Sequence, residues 1–224
     1  MPRRHLIRRE TAGSILLASL LLLVLVVPIA VGGDRSESVL RTALGFTAIA
    51  CVGLLSNVRW ALFAMVALAL VHEALHLPEP PLITALQSQV VVALQLALIA
   101  GFVVRHLMRV RQATADTVAS AVSGYLLLAM LWATFYSIAE LASPGSFLVH
   151  DVSVSQHPMG HSTFFYFSLV TISTLGFGDI VPATPRAGLL TALESVVGQF
   201  YIAILVARIV ALQVVARRDA SPAD

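Results

Sequence analysis

The stretch at residues 171–179 reads T-I-S-T-L-G-F-G-D and contains the residue types that a cation site built from backbone carbonyls requires. Glycine adopts backbone conformations with φ > 0 at little steric cost. Its alternation with Leu175 and Phe177 therefore allows successive carbonyl groups to turn to the same side. Four such strands around an axis replace the hydration shell of a potassium ion, so one strand per chain implies a tetramer. The residues predicted to coordinate the ion are Thr174, which adds its hydroxyl, Leu175, Gly176, Phe177 and Gly178.

The stretch His72-Glu73-Ala74-Leu75-His76 has the H-E-x-x-H spacing of a zinc site. On a helix, this spacing places two imidazoles one turn apart for the metal, with Glu73 as the base for an attacking water. A zinc metalloprotease is therefore an alternative function. Two features weaken this alternative: no third ligand follows nearby, and the L-P-E-P-P sequence after His76 is expected to end the helix.

The composition indicates that these residues lie in a membrane protein. Of the 224 residues, 58% are hydrophobic and 12% are charged, and the mean hydropathy is +0.89. These values lie outside the range of soluble proteins. All 14 basic residues are arginine, and the net charge of +2 is too small and too scattered to favour nucleic-acid binding. The one cysteine, Cys51, excludes an intrachain disulfide.

Six apolar segments are long enough to cross the bilayer as helices, which takes about 20 residues for about 30 Å of hydrocarbon. They lie at residues 12–31, 39–56, 58–77, 86–107, 118–141 and 187–215. If all six cross, the ten arginines on the side of both chain termini are Arg3, Arg4, Arg8, Arg9, Arg59, Arg105, Arg109, Arg111, Arg217 and Arg218. Arg35, Arg41 and Arg186 fall on the other side. Because arginine is in excess on the cytoplasmic side of membrane proteins, both termini are expected to be cytoplasmic.

The connection between the fifth and sixth segments is expected to enter the membrane and return on the same side. Residues 142–177 begin with a polar sequence, and their apolar part, residues 162–173, is too short for a full span. Non-helical backbone at membrane depth is tolerated only where protein or a water-filled cavity surrounds it. Residues 171–179 are therefore expected to line a wet cavity.

Residues 171–179 resemble the selectivity filter of the potassium channels, usually T-V-G-Y-G-D. The order helix, outer loop, short helix, filter and helix is similar to the pore module of this superfamily, and the resemblance covers residues 120–215. Phe177 in place of Tyr is a common variant, and Leu175 in place of Val or Ile leaves the carbonyl in position. Gly198, nineteen residues after Asp179, stands where related bacterial channels have a hinge glycine.

The resemblance implies roles for several residues beside the ion. Residues 162–173 would be the pore helix, whose negative dipole end favours a cation in the cavity. Gly198 would allow the last helix to bend, and Asp179 would support the outer mouth. The residues implied to line the cavity and inner gate are Gln199, Ile202 and Val206.

The partner of Asp179 is expected to differ from that in some small bacterial channels. Those channels place a glutamate in the pore helix to pair with the filter aspartate, and Val170 stands at that place here. We therefore expect Asp179 to pair with Tyr166 or with water.

Glu194 is an acid within the apolar sixth segment, one helical turn before Gly198. Acidic residues inside a membrane are candidates for function. Alternatively, Glu194 makes a structural hydrogen bond behind the filter. The sequence leaves both interpretations open.

The fourth segment lacks the regularly spaced arginines of a voltage sensor. It has no charge before Arg105, and Arg105, Arg109 and Arg111 cluster at its cytoplasmic end, where orientation and headgroup contact explain them. Because moving charge makes opening voltage-dependent, little intrinsic voltage sensing is expected. We predict a four-helix N-terminal domain at residues 1–111 and a pore domain at residues 112–224.

Several titratable residues map to the outer side of the predicted topology. They are His72, Glu73, His76, Glu79, His150, Asp151, His157 and His161. Since histidine titrates near physiological pH, the outer mouth is a candidate proton or Zn²⁺ site, centred on His72, Glu73 and His76. The alternative is a set of unrelated interfacial histidines.

The sequence as a whole predicts an all-α membrane protein with six transmembrane helices and a tetrameric potassium-channel pore. Its function would be passive, K⁺-selective conduction across the plasma (inner) membrane, without catalysis and without a cofactor other than the permeant K⁺. The expected partners are three further copies of the chain and membrane lipids. The alternatives are a less selective cation channel, the zinc metalloprotease, and a subunit that conducts only with partners. A separate regulatory subunit is a further possibility, because the nine residues after residue 215 leave little room for a gating domain.

Overall fold

The computed structural model describes residues 12–30, 82–154 and 160–220. Its helices are α1 (Ala12–Ala30), α2 (Leu82–Arg109), α3 (Ala115–Ala142), α4 (Gly160–Ile172) and α5 (Pro185–Ala220). Three short strands, β1 (Phe147–Val149), β2 (Val152–Ser153) and β3 (Ile180–Pro182), lie between the later helices. The described part of the chain is therefore mostly helical, as the sequence predicted.

Three helices of the described part are long and apolar enough to cross a membrane: Ala85–Arg109, Ala115–Ala142 and Pro185–Val214. They correspond to the fourth, fifth and sixth predicted segments. Two shorter apolar helices, Gly13–Leu22 and Thr163–Ile172, correspond to the first segment and to the predicted pore helix. The second and third segments lie outside the described residues, so the count of six spans stays a prediction.

The starts of α3 and α5 follow from local capping. The Thr184 hydroxyl accepts a hydrogen bond from the amide of Ala187 at 3.2 Å, and Pro185, which lacks an amide hydrogen, takes the first helical position. At the start of α3, the Thr114 hydroxyl accepts from the Thr117 amide at 3.2 Å. Each cap satisfies an amide that a helix start would otherwise leave without a partner.

A small antiparallel sheet, with strand order β2-β1-β3, connects α3 to the loop that precedes α5. His150 and Asp151 form the two-residue turn between β1 and β2, with φ of 47° and 67°, which suits the twist of a tight hairpin. On its other side, β1 pairs Val149 with Ile180. The sheet therefore holds the segment directly after Asp179. From the sequence, only a polar loop was expected here.

The described residues fall into two compact units. The first contains α1, Ile99–Tyr125 and the residues of α5 from Phe200 onward, and the second contains the remaining described residues. This division follows contacts and does not test the predicted domain boundary after residue 111, which stays a prediction.

The core of the second unit is aromatic. Tyr136 of α3 lies fully buried and packs against Phe147 of β1 and Phe167 of α4, with ring centroids 5.1 and 5.0 Å apart. Phe164 of α4 packs edge-on against Phe147 at 5.3 Å. Such offset and edge-to-face pairs add to the stability that burial of the rings provides. These rings fix α4 against α3 and the sheet.

In the first unit, α1 contacts the start of α3. The Asp116 carboxylate accepts hydrogen bonds from the amide and the hydroxyl of Ser14, at 2.8 and 3.1 Å. Ser14 lies in the first turn of α1, where unpaired amides and the positive end of the helix dipole favour an anion. Gly13 has no side chain and approaches Ser120 so closely that a Cβ would overlap its hydroxyl.

Candidate functional site

Residues 173–178, which we name the glycine loop, leave the carboxyl end of α4 and are all exposed. Their amides turn back to the helix: Thr174 N donates to Thr171 O at 2.9 Å, and Leu175 N donates to Val170 O at 2.9 Å. Gly176 N donates to the same Val170 carbonyl at 3.3 Å. These bonds satisfy carbonyls that the end of a helix leaves unpaired. Three backbone amides of the glycine loop are thus hydrogen-bonded to carbonyls of α4.

The backbone of the glycine loop alternates in hand. Thr174, Gly176 and Gly178 have φ of 58°, 59° and 79°, whereas neither Leu175 nor Phe177 is among the residues with positive φ. Positive φ was expected from the sequence at the two glycines. It was not expected at Thr174, because a β-branched residue with positive φ is strained. Alternation of this kind allows successive carbonyl groups to lie on one side of the chain.

The outer end of the glycine loop is held by Asp179. Its side chain accepts a hydrogen bond from the Tyr166 hydroxyl at 2.8 Å, which is one of the two partners expected from the sequence. Its backbone carbonyl accepts from the His150 amide at 3.4 Å. The hydrogen bond to Asp179 raises the pKa of the Tyr166 phenol above its ordinary value, because it stabilises the protonated hydroxyl.

Glu194 of α5 lies fully buried in the second unit, where it contacts α4, the helix that precedes the glycine loop. One carboxyl oxygen accepts a hydrogen bond from the Tyr136 hydroxyl of α3, and the other accepts from the Ser168 hydroxyl of α4. The Ser168 hydroxyl also donates to the Ala129 carbonyl of α3 at 2.7 Å. Glu194 therefore connects α5 to α3 and α4. The structural hydrogen bond was one of the two interpretations that the sequence left open.

Gly198 lies where α5 crosses the end of α4. A Cβ at this position would lie 2.5 Å from the carbonyl oxygen and from Cγ1 of Ile172, the last residue of α4. The absence of a side chain is therefore what allows this close approach. Helix α5 continues without interruption through Gly198, so this packing role is distinct from the predicted hinge role.

Comparison of the sequence with known protein families gives one match. Residues 124–214, from the middle of α3 to α5, match the family model described as an ion channel. We name residues 124–214, which make up less than half of the chain, the channel segment because of this similarity. No curated protein and no solved structure is a significant match for the chain. The three long apolar helices agree with this similarity and indicate a membrane protein.

The residues expected to line the cavity follow Gly198 on an exposed face of the channel segment. Gln199 is exposed, and Ile202 and Val206 are 40% and 54% exposed. The described part of the chain leaves most of the apolar stretch of α5 uncovered. These residues therefore remain open to a further chain or to solvent, and their role stays a prediction.

Glu140 is a buried acid of the channel segment that the sequence analysis did not single out. It accepts three hydrogen bonds, from the Gly145 amide at 2.8 Å, the Phe147 amide at 3.0 Å and the Ser153 hydroxyl at 3.0 Å. It thereby ties the end of α3 to the sheet that holds Asp179. An acid next to a helix end and a Ser-Pro-Gly turn is the signal that points to this role.

Most residues of the predicted outer metal or proton site lie outside the described part of the chain. His72, Glu73 and His76 lie outside the described residues, as do His157 and the side chain of His161. His150 lies exposed in the turn beside Asp179. Within the described residues, no group of three potential metal ligands is present.

Proposed function

We propose that this protein is a potassium channel subunit that conducts K⁺ passively through a central pore shared by four chains. The alternating φ values of the glycine loop support the proposal most directly, since rings of backbone carbonyls are what coordinates K⁺ in such filters. Thr174, Leu175, Gly176, Phe177 and Gly178 would coordinate the ion, with Asp179 at the outer mouth.

The surroundings of the loop support the same function. Helix α4 ends at the loop with its carboxyl end, whose negative dipole favours a nearby cation. The exposed side chains of Ile202 and Val206 on α5 would line the cavity and gate with Gln199, and Gly198 would permit bending. Exposure of Leu175 (59%) and Phe177 (64%) supports further chains around the loop, because large exposed apolar patches mark interaction sites.

We also propose little intrinsic voltage sensing, and an orientation with both termini in the cytoplasm. In α2, the basic residues are confined to the carboxyl-terminal part, with His106 and Arg109 in the last turn. Charges in this position would move through little of the membrane field.

The experiment that tests the function is a flux assay on purified protein in K⁺-loaded liposomes, with and without Ba²⁺, comparing K⁺ and Na⁺ as the permeant ion. K⁺ flux that Ba²⁺ blocks, without Na⁺ flux, is the expected result. Equal Na⁺ and K⁺ flux would replace the proposal by a less selective cation channel. Proteolysis that depends on zinc and is lost in Glu73→Ala would instead favour the metalloprotease.

A further inference from the structure

Arg208 lies inside the apolar helix α5, within the predicted sixth membrane segment, and not at either end of it. Charged side chains within membrane helices are rare and are usually paired with other charges or with backbone carbonyls. Glu194, Tyr201 and Arg208 follow one another at intervals of seven residues. Residues at this spacing lie on the same face of a helix.

The guanidinium of Arg208 binds the carboxyl end of α2 within the first unit. Its Nε donates to the Leu107 carbonyl at 2.8 Å, and its Nη2 donates to the Met108 and Val110 carbonyls at 2.7 and 2.9 Å. The last four carbonyls of a helix have no partner within it. The planar, multiply donating guanidinium satisfies two of them together with the first carbonyl beyond the helix, and its charge is favourable at the negative end of the dipole.

Tyr201 fastens α5 to α3 two helical turns before Arg208. Its hydroxyl donates to the Ala121 carbonyl at 2.7 Å, and Gly124 leaves room for this ring, since a Cβ there would overlap the Tyr201 hydroxyl. A Cβ on Gly124 would also lie 3.1 Å from Val103 of α2. Helices α2, α3 and α5 thus meet closely at Gly124, and Arg208 adds a charged bond between α2 and α5.

We propose that Arg208 is a positioning residue for gating, which holds α5 to the carboxyl end of α2. The bond lies ten residues beyond Gly198, in the part of α5 where the inner gate is proposed. Through this bond, the position of α2 would bias the equilibrium between open and closed states of the pore. The gating half of this proposal rests on the proposed channel function.

Two substitutions of Arg208 and one control test the proposal on the full-length protein. Arg208→Gln removes the charge and most donors, whereas Arg208→Lys keeps the charge and loses the planar arrangement of donors. The control is Arg105→Gln, which makes the same charge change at an exposed position of α2. Membrane insertion of each variant is checked first by its yield in the membrane fraction.

The first readout is hydrogen exchange of backbone amides over residues 104–112, which requires no conduction. Loss of hydrogen bonds to a charged group is expected to accelerate exchange about tenfold or more in Arg208→Gln. The control should differ from the wild type by less than about twofold, because substitutions of exposed side chains usually have small effects. Unchanged exchange in Arg208→Gln would overturn the proposed bond. Exchange in Arg208→Lys equal to the wild type would overturn the need for the guanidinium geometry.

The second readout is single-channel recording in planar bilayers. In Arg208→Gln, the ratio of open to closed time is expected to change about fivefold or more, with unitary conductance and the K⁺ to Na⁺ permeability ratio as in the wild type. Accelerated exchange with an unchanged open-to-closed ratio would overturn the gating role. A wild-type protein without K⁺ flux would overturn the channel function and the gating role together, and the exchange result would still decide whether the bond exists.

Discussion

At the residue scale, the backbone conformation of Gly176, and not a lack of room for a side chain, limits which residues can replace it. A Cβ at Gly176 would have nothing within 4 Å, but its φ of 59° is unfavourable for any residue with a side chain. Alanine in this conformation costs about 1–2 kcal/mol and would shift the loop toward other conformations. We expect Gly176→Ala to abolish K⁺-selective flux in liposomes while membrane insertion is retained.

Gly101→Ala is the matched control for this substitution. Gly101 lies in α2, where a Cβ would have nothing within 4 Å and the backbone φ is not positive, so alanine is expected to be tolerated or slightly stabilising there. Selective flux through Gly176→Ala at the wild-type rate would contradict the assignment of the loop as the ion site.

The bond between Tyr166 and Asp179 gives a pH-dependent prediction. It raises the pKa of Tyr166 above its ordinary value of 10.0. A raised pKa means that the bond contributes fully below pH 10 and is lost as pH rises through the higher value. We expect the phenolate absorbance of the wild type minus that of Tyr166→Phe to show a transition centred above pH 10. A midpoint at or below pH 10 would contradict the hydrogen bond.

From the sequence, Tyr166 or water was the expected partner of Asp179, whereas the bonds of Glu140 and Arg208 were not expected. The resemblance to potassium channels drew attention to Asp179, and Val170 at the place of the usual acid left Tyr166 as a nearby donor. Glu140 and Arg208 instead bind backbone groups. Every residue offers such groups, so no residue type in the sequence marks the partner.

At the element scale, the long helices were predictable and the sheet was not. The bounds of α2, α3 and α5 lie within a few residues of the predicted segments, since length and apolarity alone define a span. Strands of two or three residues carry little periodicity, and β1 pairs with β3 about thirty residues further along the chain. Only the tertiary structure brings those two segments together.

The two buried acids differ in their partners, so substitution by glutamine is expected to affect them differently. A glutamine in place of Glu194 would accept from Tyr136 and donate to the Ser168 oxygen, whose own proton goes to the Ala129 carbonyl. At Glu140, an amide would face backbone amides that donate. We therefore expect Glu194→Gln to leave the thermal unfolding midpoint nearly unchanged, and Glu140→Gln to lower it.

Glu194→Ala completes this comparison, because it leaves Tyr136 and Ser168 without their buried partner. An unsatisfied buried polar group costs about 1–3 kcal/mol, so the unfolding midpoint in detergent should fall clearly below that of Glu194→Gln. Equal destabilisation by glutamine and alanine would contradict the proposed replacement of the carboxyl group by an amide in this hydrogen-bond network.

At the scale of the whole molecule, the exposed apolar surface of the channel segment requires further chains or lipid. In addition to Leu175 and Phe177 of the glycine loop, Leu189 and Phe200 of α5 are 65% and 63% exposed. If the glycine loop is a filter strand, as proposed, one chain forms only part of an ion site, since such filters use four loops around one axis. The purified protein is therefore expected to have a native mass about four times the chain mass of 23.9 kDa.

Mixed assembly tests whether the chains share one pore. If wild-type and Gly176→Ala chains are expressed in equal amounts and mix at random, about one sixteenth of tetramers contain wild-type chains alone, because four chains each contribute one strand. If a single altered strand disrupts the ion site, Ba²⁺-sensitive K⁺ flux should fall to about that fraction of the wild-type flux. A mixture with Gly101→Ala should retain the full flux. Flux near one half would mean that each chain conducts alone, and would contradict the shared pore.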